Sequence, residues 1–186
     1  YLAHNYYNED LARFFTQAES RGMALLPEEE QLVSILLANG LLRRRVDRYE
    51  ARPGGVLSIS REAGVALRRL HVHHELSHAV FYLEPGYAAA TRRLWAGLTP
   101  EMRQYYRLFL AWRSYDITNN YLLVNEFQAW TLHHREEAVE EYFRRFAATQ
   151  AERNRPPDAG TYRSISALEG EPFREVHRSL REALEQ

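Results

Sequence analysis

Val65-Ala66-Leu67-Arg68-Arg69-Leu70-His71-Val72-His73-His74-Glu75-Leu76-Ser77-His78-Ala79-Val80-Phe81-Tyr82-Leu83 contains neither Pro nor Gly, and Leu67, Leu70, Ala79, Val80 and Leu83 set apolar positions along it. That pattern predicts a continuous helix from about residue 62 or 65 to residue 83. Inside it lies H-E-x-x-H, from His74 to His78. Residues four apart share one face of a helix, one turn above each other. His74 and His78 can therefore aim two imidazoles at one point, as a tetrahedral Zn²⁺ requires of two ligands. Glu75 stands beside the first of them, where a carboxylate can take a proton from a water whose pKa the ion has lowered.

The chain has 8 His and 21 Glu. At that composition the pattern arises by chance in roughly 4% of chains, so the uninterrupted helix around it is what gives it weight. Two histidines leave a catalytic zinc site one ligand short. There is no Cys to supply it. Ala79-Val80-Phe81-Tyr82-Leu83-Glu84-Pro85-Gly86 offers no third His after the motif. Glu84 falls beyond the helix end that Pro85-Gly86 imposes. The leading candidate is Glu126, a lone carboxylate within the apolar, helical stretch Leu123-Val124-Asn125-Glu126-Phe127-Gln128-Ala129-Trp130. A charge among core residues is costly unless it is paired or bound to metal. Glu126 thus reads either as the third ligand or as a salt-bridge partner or solvent-facing residue. Asp116 is the next choice.

His74-Glu75-Leu76-Ser77-His78-Ala79-Val80 resembles the active-site helix of thermolysin-like metallopeptidases, and Asn125-Glu126 resembles their downstream N-E ligand pair. The resemblance, to the wider group of gluzincins, implies zinc held by His74, His78 and Glu126. It implies Glu75 as the base that polarises water, and a peptide or protein as substrate. Two features depart from that pattern. Forty-seven residues lie between His78 and Glu126, a longer spacing. Trp130 also occupies the place of an acidic residue that would support the first His, a support that Asp116 could supply from elsewhere.

The 186 residues fit one domain, read as N-terminal helices over 1–42, a hairpin over 43–60, metal-site helices over 61–150, and a loop with a C-terminal helix over 151–186. The expected fold is mainly α (α+β), a zincin-like helical domain with one small antiparallel sheet. Asn8-Glu9-Asp10 starts a helix to about residue 20 with Leu11, Phe14, Phe15 and Ala18 inward, and Pro27 starts a second that ends near Asn39-Gly40. Residues 43–51 and 56–60 read as the two strands of a hairpin about Arg52-Pro53-Gly54-Gly55. The second strand leads into the metal helix. It reads as an ordinary paired strand or as an edge that takes substrate as an added strand. Helices follow over about 86–96, from Thr99-Pro100, over 117–134 with Glu126 inside, over 136–149, and over 172–185. Residues 154–166 read as a loop.

Net charge is −1, and all 24 basic residues are scattered arginines. That balance argues against a nucleic-acid partner, which calls for a net basic face, and Arg43-Arg44-Arg45 reads as a solvated face. No apolar run reaches membrane-spanning length. A cysteine-free chain suits an exported or a cytosolic protein, with the lean toward export, and the start at Tyr1 points to residues upstream. The residues set no oligomeric state.

Tyr115, Tyr121, Asn119 and His133 are the candidates near Glu126 for stabilising an oxyanion. His71 lies on the motif face at the rim or in the cleft; His73, His134, His4 and His177 carry no functional reading. Two rivals stand beside the hydrolase: a non-catalytic zinc-binding, zincin-like interaction module, against which Glu75 argues because a structural metal needs no base, and an all-helical interaction protein with a chance motif.

Overall fold

The computed structural model describes residues 3–154 and 159–185. The fold is mainly α, as expected, and its contacts divide it into two compact units, Tyr1–Gly64 and Val65–Gln186.

In the first unit, helices α1 (Asn8–Ser20) and α2 (Pro27–Ala38) accompany four strands, β1 (Ala3–Tyr7), β2 (Leu42–Arg44), β3 (Tyr49–Ala51) and β4 (Gly55–Ile59). The strands form two antiparallel pairs, which differs from the single hairpin the local pattern predicts. β2 pairs with β3, Leu42 opposite Ala51. β4 turns away from them and pairs with β1, Ala3 opposite Ile59 and Tyr7 opposite Gly55. The Gly54-Gly55 corner makes this possible. Gly54 has φ 139, and a Cβ on Gly55 would lie 2.8 Å from the Tyr6 carbonyl oxygen. Asn8 does not cap α1; its side-chain amide donates to the Arg52 carbonyl at 2.9 Å and ties the helix to that corner. Leu11, Ala12, Phe15, Leu36 and Leu42 form the small core, while Phe14, expected inward, is exposed.

The second unit is helical: α3 (Val65–Leu83), α4 (Pro85–Gly97), α5 (Pro100–Trp112), α6 (Asn120–His133), α7 (Glu136–Glu141), a π-helical turn (Tyr142–Ala147), α8 (Ala148–Asn154), α9 (Ala159–Ser166) and α10 (Pro172–Leu184). The starts are chemical. The Thr99 hydroxyl accepts from the Met102 amide on α5, and Asn119 accepts from Tyr121 and Leu122 on α6. Asn119 is therefore a helix cap, and α6 begins three residues later than the periodicity suggests. Glu140 Oε2 accepts from the Phe173 and Arg174 amides at 2.9 and 3.1 Å, a carboxylate at the positive end of α10. Residues 159–166, read as loop, form α9 because Tyr162 and Ile165 bury completely against the aromatic core; tertiary burial overrides a turn-rich composition. Of the rest of that reading, Asn154 ends α8 and residues 155–158 lie outside the described residues.

α6 is the central element, packed against α3, α4, α5 and α10. Its residues Leu123 to Ala129 are buried without a break. The core beside it is aromatic: Tyr105, Tyr106, Phe109, Phe127, Phe143 and Phe173 are fully buried. Their polar atoms are satisfied. Tyr105 donates to the Phe143 carbonyl in the π-helical turn at 2.5 Å, and Tyr106 meets Thr131 at 3.0 Å. Among the described residues no helix is long and apolar enough to cross a membrane.

Candidate metal centre

The buried stripe of α3 is His74, Ser77, His78 and Phe81, with Glu75 beside it. Most leucines of the helix face the other way. Leu67, Leu70 and Leu83 are exposed, and so is Leu76 within the motif. This inverts the usual amphipathic rule, since α3 turns a polar stripe toward the core. Polar atoms so placed must find partners or a ligand.

They converge on one carboxylate. His74, His78 and Glu126 are all buried and their ligating atoms cluster, the one such group among the described residues. The Nε2 atoms of His74 and His78 are 3.2 Å apart. Glu126 Oε2 is 3.6 Å from His74 Nε2 and Oε1 is 3.5 Å from His78 Nε2. A tetrahedron with metal–ligand bonds near 2.0–2.1 Å has edges of about 3.3–3.4 Å, so the two imidazole nitrogens are spaced as two of its corners, with one carboxylate oxygen near each of them. Glu126 Oε2 is buried with no hydrogen bond, an orphan that a cation would satisfy.

The charge states agree with the geometry. Burial pushes the His74 imidazole down to about 4, with Glu75 and the Ala129 backbone opposing. Burial also lowers His78, against the pull of Glu126. Glu126 is pushed up to about 7 by burial, with His78 and the Tyr115 hydroxyl opposing and Glu75 adding to the rise. Neutral imidazoles beside a carboxylate held at a disadvantage are a donor set that a divalent cation would relieve. Glu75 is buried at 5% exposure. Its charge is felt at His74, His78, Glu126 and Tyr115.

The surrounding shell differs for the two histidines. His78 Nδ1 donates to Asn125 Oδ1 at 2.9 Å, and that oxygen also accepts from Gln128 Nε2 at 3.1 Å. Gln128 Oε1 in turn accepts from the Tyr87 hydroxyl of α4 at 2.9 Å. The chain fixes the tautomer of His78 and turns its Nε2 lone pair to the centre. His74 is held by rings instead. Its centroid lies 5.0 Å from Trp130 and 5.4 Å from His133, both edge-on. Replacing Asn125 by Ala is therefore expected to weaken metal binding about 10- to 100-fold, measured by competition with a chelating dye.

Of the remaining candidates, Tyr115 reaches the site, where its hydroxyl bears on Glu126. His133 is buried and packs on His74 and, at 6.2 Å, on His71. Tyr121 is exposed and packs on Phe81. Asp116 is not at the centre. It is exposed and accepts from the Thr118 amide and hydroxyl at 2.9 and 2.6 Å, which closes a turn. His177 bonds the His134 carbonyl at 3.1 Å, a packing role. Gln128 and Tyr87 drew no notice as sequence, because a Gln three residues after Asn125 becomes informative only once His78 is known to face them.

Burial lowers His133 to about 3 and His134 to about 4, and also lowers His177. A folded value below the ordinary 6.5 means the unfolded chain binds more protons as pH falls. This stability is complete above about 6.5 and is lost as pH drops toward 4. His74 and His78 act the same way, and Glu126 alone acts oppositely. Metal-free protein is expected to be less stable at pH 5 than at pH 7.5 in urea denaturation.

No protein-family model, curated protein or solved structure matches this chain.

Proposed function

We propose that the protein is a zinc-dependent hydrolase, a metallopeptidase in which His74, His78 and Glu126 hold the ion and Glu75 is the general base. The observation that carries this reading is the buried His74–His78–Glu126 cluster, its two Nε2 atoms 3.2 Å apart and each within 3.6 Å of a Glu126 oxygen. The gluzincin-like motif supports it, since a glutamate next to the first ligand has no use at a purely structural metal.

The bound ion supplies Lewis acidity toward a carbonyl oxygen and makes water acidic enough to deprotonate near neutral pH. The Glu75 carboxylate takes the proton from the attacking water and passes it to the departing amine nitrogen, so one group serves as base and then as acid. His78, locked through Asn125 and Gln128, and His74, wedged between Trp130 and His133, keep their Nε2 atoms aimed at one point. That arrangement avoids reorganisation during the reaction. Peptides are proposed as substrates on the strength of the motif; the same chemistry would attack other acyl compounds.

The test is metal analysis of the purified protein together with digestion of a mixed peptide library. Stoichiometric zinc and cleavage that stops with a chelator and returns with zinc are expected. Zinc without cleavage would favour the non-catalytic binding module, and no zinc uptake at all would overturn the metal reading.

A further inference from the structure

A carboxylate ligand needs orientation as much as an imidazole does, and α6 carries no second acid to provide it. The position one turn after Glu126 is Trp130. Its Nε1–H lies 3.3 Å from the Tyr115 hydroxyl and donates to it. The Tyr115 hydroxyl in turn bears on the Glu126 carboxylate, whose Oε2 is buried with no hydrogen bond. Behind the indole stands Arg113, its guanidinium 4.2 Å from the ring centroid and bonded to the Tyr142 hydroxyl at 2.6 Å. A cation on the face of an indole draws on the ring electrons and makes its N–H a better donor.

The backbone is arranged to bring Tyr115 there. Ser114 has φ 67, in the left-handed region that favours glycine. The Tyr115 amide bonds the Leu110 carbonyl and the Ser114 amide bonds that of Ala111, both at 3.0 Å. This double bond pattern reverses the chain at the end of α5. A serine held in that conformation where glycine would be easier stores backbone strain, which is tolerated where the surrounding structure over-determines it.

We infer that Tyr115 and Trp130 are positioning residues for Glu126: the line Arg113–Trp130–Tyr115 holds the third ligand's carboxylate and leaves its other oxygen free for the ion, in place of an acidic supporting residue. The inference rests on the metal reading of the site. Trp130 acts through the Tyr115 hydroxyl on Glu126, while its ring edge also braces His74, so one side chain links the two sides of the centre.

Cobalt(II) titration of the metal-depleted full chain tests it, with affinity and the visible absorption of bound cobalt as readouts. Wild type is expected to take one cobalt. Tyr115→Phe keeps the ring and removes the donor; it is expected to bind about 10- to 100-fold more weakly, with a shifted absorption band and an unchanged metal-free melting temperature. Trp130→Phe should weaken binding in the same direction but less. The double variant should lose less than the sum of the two single losses, because the indole has no route to Glu126 once the hydroxyl is gone. Wild-type affinity and spectrum in Tyr115→Phe, or additive losses in the double variant, would overturn the inference while leaving the metal site standing. Should Tyr115→Phe not fold, an unchanged cobalt spectrum in Trp130→Phe would overturn it instead. A wild-type chain that takes no cobalt would remove both readings together.

Discussion

Glu75→Gln is expected to retain its zinc and to lose peptide hydrolysis, with kcat/KM falling about 10²- to 10⁴-fold. The substitution is nearly isosteric and replaces a proton acceptor with an amide that is not one at any working pH. Glu75 is buried beside the centre but is not one of the three clustered ligands, so removing its charge alters the reaction more than the binding. The measurement pairs metal content by atomic absorption with turnover of the best peptide found in the library. Unchanged turnover would exclude Glu75 as the base. Loss of metal in parallel with activity would place Glu75 in the coordination sphere and require another base.

Glu126→Gln is expected to give opposite results with and without metal. In the metal-free protein the carboxyl of Glu126 is pushed up to about 7 by burial. A folded value above the unfolded one means that the folded state holds the proton more tightly. Stability falls as pH rises from the unfolded value toward 7, and the loss is complete above it. Removing the group at pH 8 should therefore stabilise the metal-free chain by on the order of 3 kcal/mol. With zinc present the order reverses, because only wild type gains the linkage free energy of binding. Urea denaturation in chelator and in excess zinc measures both. A variant less stable than wild type in chelator would mean that Glu126 is held by a protein partner, which was the competing reading of this residue as sequence.

Much of the helical layout is legible because its signals are local. Pro27, Thr99-Pro100 and the Pro172 start sit where the structure begins helices. The H-E-x-x-H pair is equally local, since a spacing of four on a helix needs no tertiary information to place both imidazoles on one side. Glu126 was reachable by a different argument, that a single carboxylate in an apolar helix demands a partner, and α6 proves to be buried all along its middle.

The misreadings share a cause. β1 pairs with β4 across about fifty residues, and nothing within Ala3–Tyr7 announces a partner so far away. α9 exists because Tyr162 and Ile165 meet the core, not because 159–166 favours helix. The leucines around the motif mark the helix but do not show which face is buried, and α3 gives its buried face to His74, Ser77, His78 and Phe81.

The amino-acid sequence by itself determined that this chain is mainly helical and that one of its helices presents two imidazoles and a carboxylate a residue apart, because helical periodicity is a property of neighbours along the chain. Only the tertiary structure decided what stands opposite: that α6 brings Glu126 to within 3.6 Å of His74, that Asn125 orients His78, that Asp116 stays at a surface turn, and that Trp130 donates to Tyr115. Those contacts depend on which helix faces cross and where α5 reverses, and such packing is settled by the summed burial of many residues that no short stretch of sequence contains.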